Sequence, residues 1–97
     1  MPQVHRANQA EIDLVEIWLY VAADNMEAAD RLLEKIDEKC RLLAERKLLG
    51  RERADLDAAL RSYSVGNYII YYKLEPDGII VSRVLYGSRD QAAELGL

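Results

Sequence analysis

RSYSVGNYIIYYKLEPDGIIVSRVLY, residues 61–86, places two turn signals between three runs rich in β-branched and aromatic residues. Gly66-Asn67 suits a two-residue hairpin turn between Arg61–Val65 and Tyr68–Leu74. Glu75-Pro76-Asp77-Gly78 supplies the next turn before Ile79–Tyr86, so the stretch reads as a three-stranded antiparallel meander. Alternation along each strand then assigns faces. Tyr68, Ile70 and Tyr72 point one way and Ile69 and Tyr71 the other, while Ile79, Val81 and Leu85 are expected opposite Ile80, Val84 and Tyr86. Both faces are apolar or aromatic. One helical hairpin can shield only one of them, so the reverse must be exposed, be capped by the tail Gln91 to Leu97, or receive another polypeptide.

Upstream, the period changes to that of a helix. From Gln9 to Ala23 the residues Ala10, Leu14, Ile17, Trp18 and Val21 recur at three- and four-residue steps, with Val15, Leu19 and Ala22 widening the stripe. Asp24-Asn25 interrupts with two good capping types, and Met26 opens a second run through Ala29, Leu32, Leu33, Ile36, Cys40, Leu43 and Ala44. So short a turn makes the two helices antiparallel. The outer face of the second helix is charged, with Glu27/Arg31 and Asp37/Arg41 spaced as i,i+4 pairs. Gly50 is expected to end this helix, and Asp55–Leu60 to form a single turn within the connection to the sheet. Gln3–Ala7, with weak alternation around Val4, is expected to be a short N-terminal strand. The fold class is therefore α+β, a single domain over residues 1–97: short strand, antiparallel helical hairpin, three-stranded antiparallel sheet.

Composition narrows the functional classes. Ninety-seven residues leave room for one core, and 51% hydrophobic with 31% charged residues is the balance of a soluble globular domain. No run is long and apolar enough to span a membrane and no secretory layout opens the chain, so a cytoplasmic location is expected. Cys40 is the only cysteine and His5 the only histidine, which excludes an internal disulfide and a zinc site of the usual His/Cys type; no cofactor or metal is expected. Net charge is −4, yet residues 1–45 hold five basic and ten acidic side chains while residues 46–97 hold eight and seven. The overall acidity argues against independent, sequence-specific nucleic-acid binding, whose affinity comes mostly from neutralised phosphates.

The ordered set of motifs resembles the ParE branch of the RelE/ParE toxin superfamily of type II toxin-antitoxin systems, over nearly the whole chain. The similarity lies in Asp13-Leu14-Val15-Glu16-Ile17-Trp18-Leu19-Tyr20-Val21-Ala22, Asp24-Asn25 and Ala28-Ala29-Asp30-Arg31-Leu32. It continues through Gly50, Arg53 and Leu56, then Leu60-Arg61-Ser62-Tyr63, Val65-Gly66-Asn67-Tyr68, Ile70-Tyr71-Tyr72 and Arg83-Val84-Leu85-Tyr86-Gly87-Ser88-Arg89-Asp90. The chain departs from the family at Lys47, where a proline is usual, and at Tyr86, where histidine is common. The resemblance implies a toxin that inhibits DNA gyrase, is neutralised by a ParD-like antitoxin and forms a hetero-oligomer with it.

Arg61, Arg83 and Arg89 sit near strand ends and are placed to converge on one sheet face with Tyr63, Tyr72 and Tyr86. These six residues are the expected antitoxin-binding set, since arginine and tyrosine are favoured at interface hot spots. A RelE-like, ribosome-dependent messenger-RNA endonuclease is the alternative, and a toxin that only binds its antitoxin a third reading. Nuclease chemistry needs a base to activate the ribose hydroxyl. Arginine stays protonated to above about 12 and tyrosine titrates near about 10, so neither is ready at neutral pH, and no enzymatic activity is expected. The blander expectations are Trp18 in the core, Cys40 as a small buried hydrophobe, His5 exposed, and Arg89-Asp90 as a local ion pair.

Overall fold

The computed structural model describes residues 1–88 and 90–97; Arg89, and with it the expected Arg89-Asp90 pair, lies outside the described residues. The chain runs β1 (Gln3–Arg6), α1 (Asn8–Ala22), α2 (Met26–Glu45), β2 (Arg51–Glu52), β3 (Arg61–Val65), β4 (Tyr68–Glu75), β5 (Gly78–Tyr86) and α3 (Gln91–Glu94). The expected meander forms the centre of a five-stranded sheet ordered β1-β5-β4-β3-β2. The two outer strands extend the expected three. β1 joins β5 in parallel, through Gln3↔Gly78 to Arg6↔Val81, and β2 adds two residues to β3.

Local chemistry explains the boundaries. Asn25, in extended conformation, caps α2 by accepting the Ala28 amide at 3.0 Å, which satisfies one of the first-turn donors a helix leaves open. Gly66 takes φ 58° at the start of the β3–β4 turn, the left-handed region a tight hairpin needs and glycine permits. α2 ends at Glu45, short of Gly50. Gly50 serves the core instead: its amide donates to the Tyr72 hydroxyl at 2.9 Å, and a Cβ there would lie 2.3 Å from that oxygen. The segment before β3 forms turns with Leu56 and Asp57 amides on the Arg53 carbonyl, where one helical turn was expected.

The hairpin covers one sheet face. Ala10, Leu14 and Ile17 of α1, and Ile36, Cys40, Leu43 and Ala44 of α2, pack on Val65, Ile70, Tyr72, Ile79, Val81 and Val84. Each fully buried leucine, isoleucine or valine among them contributes about 1.5–3 kcal/mol. Val84 on this face corrects the strict alternation expected of β5. Tyr72 pairs with Val81 but Tyr71 with Arg83, so Ser82 is an extra residue, a β-bulge that reverses the phase. Val84 thereby joins Ile79 and Val81, and Leu85 turns to the reverse side.

That reverse side is closed by the chain itself. Leu60, Tyr71 and Leu85 are buried there under Leu56, Ile69 and Leu95, the last contributed by the tail. The Tyr71 hydroxyl donates to Gln91 Oε1 at 2.7 Å, and Gln91 Nε2 donates to the Tyr86 carbonyl at 3.1 Å. Of the three outcomes open to a two-sided apolar sheet, tail capping is the one realised, and the reverse face is not the vacant surface.

Candidate docking site between the first helix and the last strand

α1 is apolar nearly all round. Ala10, Leu14 and Ile17 face the core, but Ile12, Val15, Leu19 and Tyr20 are exposed, Tyr20 at 81%. A helix of this kind is normally enclosed on every side. Trp18, expected in the core, is half-buried and fastens the hairpin by donating from Nε1 to Asp30 Oδ1 at 2.8 Å. Beside α1 runs a groove of about 520 Å³. Asp13, Glu16, Ile17 and Tyr20 form its helical wall, and Asn67, Tyr68, Val84, Leu85 and Tyr86 its sheet wall. Tyr68 and Tyr86 meet edge to face, with centroids 5.5 Å apart and planes at 64°.

The groove exists because β1 stops early. It pairs with β5 only as far as Val81, the Ala7 amide closes on the Val81 carbonyl at 3.0 Å, and the chain turns into α1. Past that point the edge of β5 meets a helix, and an edge amide facing a helix needs an acceptor. Asp13 supplies it. Its Oδ2 accepts the Val84 amide at 3.0 Å and Arg83 Nε at 2.7 Å, and Oδ1 accepts Arg83 Nη2 at 3.0 Å. Asp13 is only 4% exposed, and the hydrogen bond it offers Arg83 raises the guanidinium pKa further. Arg83 Nη1 donates to the Glu94 carbonyl, so one arginine links α1, β5 and the tail helix.

Of the five described residues expected to converge, Arg61, Tyr63, Tyr72 and Tyr86 fall on the helix-covered face of the sheet and Arg83 on the reverse, and they form no common surface. Tyr72 is completely buried beneath the helices, its hydroxyl donating to the Lys47 carbonyl at 2.8 Å. Tyr63 packs on the same core. Arg61 spends its guanidinium on the chain leaving α2, donating to the Gly50 carbonyl at 2.7 Å and the Leu48 carbonyl at 3.1 Å. Arg83 is built into the Asp13 pair, Tyr86 opens into the groove, and Arg89 lies outside the described residues. Lys47 donates from Nζ to the Glu75 carbonyl at 2.6 Å.

Asp13, Tyr20 and Tyr68 stand outside the six site residues expected from sequence, yet Asp13 carries a readable signal. It is an acid at the i+3 position of the buried series Ala10, Asp13, Leu14, Ile17, and a charge on a core-facing stripe requires a partner. Other ionisable groups are held away from reactivity. Burial pushes the Tyr71 phenol up, while Arg53, 5.9 Å from that ring centroid, is raised by its hydrogen bond to Asp55. Burial pushes the Cys40 thiol up to about 11. Since the thiolate is the nucleophile, the folded chain should react with a disulfide reagent at pH 8 at least about tenfold more slowly than the urea-unfolded chain; equal rates would show the thiol accessible.

Comparison with known proteins agrees with this architecture. A family model described as the ParE toxin of the type II toxin-antitoxin system parDE matches residues 4–91. Toxin ParE3 of Caulobacter vibrioides (strain ATCC 19089 / CIP 103742 / CB 15) is 31% identical over 97 residues, covering 99% of this chain and 97% of that toxin. A solved structure titled as the chromosomal ParDE TA system from P. aeruginosa superposes with a TM-score of 0.73 at 19% identity, over 89% of this chain and 96% of that one, a likeness of fold. Family match, extended identity and shared fold together place this chain in the ParE toxin family of parDE type II toxin-antitoxin systems.

Proposed function

We propose that this ParE toxin acts as a binding protein without catalysis, inhibiting DNA gyrase, and that a ParD-like antitoxin neutralises it by seating on α1 and the groove beside β5. The observation that carries the docking reading is α1 itself: Ile12, Val15, Leu19 and Tyr20 are exposed, and the groove adds Tyr68, Tyr86 and Ile17. An exposed apolar helix flanking an aromatic groove is a surface suited to a partner's aliphatic side chains. Of the residues expected to touch antitoxin, Tyr86 is the direct contact. Arg83 acts through Asp13 in shaping the wall, and Arg61, Tyr63 and Tyr72 hold the sheet beneath. The gyrase target rests on membership of the ParE toxin family. The raised phenol of Tyr71 and the acid-paired guanidinia of Arg53 and Arg83 support a non-enzymatic reading, since each is shifted away from a general base. No described helix is long and apolar enough to cross a membrane, in keeping with the proposed cytoplasmic target.

Purified toxin is expected to inhibit supercoiling of relaxed plasmid by gyrase, and an equimolar antitoxin to restore it. Cleavage of ribosome-bound messenger RNA with gyrase unaffected would replace this reading with the endonuclease. Normal growth on induction without antitoxin would leave only the antitoxin-binding module.

A further inference from the structure

The end of the β4–β5 hairpin remote from the groove brings together three metal-ligating side chains from separate segments. His5 lies on β1, Glu75 ends β4, and Asp77 sits in the β4–β5 turn. His5 Nε2 is 3.2 Å from Asp77 Oδ2 and 4.0 Å from Glu75 Oε1, and all three donor atoms lie within 4.8 Å of one another. Donors about 2.0–2.2 Å from a tetrahedral zinc ion stand roughly 3.3–3.6 Å apart, so this trio needs only side-chain adjustment to close on one ion.

Backbone fixes the placement. The Gln3 amide donates to the Asp77 carbonyl at 2.7 Å, and Gly78 lies so close to β1 that a Cβ there would fall 1.9 Å from the Gln3 carbonyl oxygen. The donors are therefore held in register by main chain. Lys47 is the neighbouring cation, and its ammonium is directed at the carbonyls of Glu75 and Pro76. Two carboxylates face this ammonium, a surplus of negative charge at which a divalent ion is favoured. His5 and Asp77 are about half exposed, at 50% and 57%, so water can complete the shell.

We propose that His5, Glu75 and Asp77 form a surface site for a first-row divalent cation such as zinc, which staples the N-terminal strand to the β4–β5 turn. One imidazole with two carboxylates is a donor set that suits zinc better than magnesium, whose preference is for oxygen alone. The exclusion of a His/Cys site does not reach it, because the second and third ligands are carboxylates. The role is structural, and it is independent of the proposed gyrase and antitoxin contacts.

The test is calorimetric titration of zinc chloride into the tag-free full-length chain at pH 7.5 in a non-chelating buffer, with melting temperature followed in parallel. One equivalent should bind, with affinity reduced at least tenfold in His5→Gln and in Asp77→Asn, and at equal zinc the melting temperature should rise less in either variant than in the unsubstituted chain. Failure to bind at up to millimolar zinc, or equal binding by His5→Gln shown folded by circular dichroism, would overturn the proposal.

Discussion

Replacing Asp13 with alanine should destabilise the fold by about 3–5 kcal/mol, the cost of breaking a buried ion pair from one side. The carboxylate accepts three hydrogen bonds, from the Val84 amide and from two nitrogens of Arg83. Its removal strands an arginine only 17% exposed and an amide on the unpaired edge of β5. For a domain of this size each kcal/mol lowers the melting temperature by about 4–8 °C, so a drop of at least about 12 °C is expected. Asp13→Asn should lose less, because its amide oxygen can still accept from Val84. Adding Arg83→Met to Asp13→Ala should recover part of the loss by removing the stranded charge, a coupling that a double-mutant cycle reads directly. Melting within 3 °C of the unsubstituted protein would mean that water reaches the pair.

Tyr72→Phe is the second large effect, expected at about 2 kcal/mol from a buried amide and a part-buried carbonyl losing their partner. The hydroxyl donates to the Lys47 carbonyl at 2.8 Å and accepts the Gly50 amide at 2.9 Å, so it pins the exit of α2 to β4. Gly50→Ala attacks the same contact sterically, its Cβ arriving 2.3 Å from that oxygen. Combining the two should cost somewhat less than their sum, since phenylalanine removes the nearest of the three Tyr72 atoms the methyl meets, while Cε1 at 2.6 Å and Cζ at 2.8 Å remain. Additive losses in urea unfolding would show that the two positions do not share one contact. Neither substitution touches the groove, so antitoxin affinity of the folded fraction should be unchanged.

The elements were legible because their periods are clean. Three- and four-residue spacing marks α1 and α2, and turn chemistry at Gly66-Asn67 and Glu75–Gly78 delimits the strands. What failed was phase within β5, because nothing in Val81-Ser82-Arg83-Val84 announces a bulge. The partner of β1 was also hidden: four residues carry no signal for which of several strands they join. Sealing of the reverse face by Leu95 depends on where the tail lands after β5, a long-range matter. The arginines misled for a related reason. Arginine is enriched at interfaces but serves equally well for tying carbonyls and carboxylates, and Arg61 and Arg83 are used in that way. Tyr86 is among the residues expected from sequence, whereas Tyr20 is not, since it has no place in the stripe of Ala10, Leu14, Ile17, Trp18 and Val21.

The groove claim is tested most directly by measuring the affinity of the ParD-like antitoxin for Tyr20→Ala and Tyr86→Ala toxins beside the unsubstituted chain. Both side chains are substantially exposed, at 81% and 42%, so melting temperatures should move little. Affinity should fall at least about tenfold for each, or 1.4 kcal/mol, if they anchor the partner. Unaltered affinity for both, with the fold intact, would place the antitoxin elsewhere on the molecule.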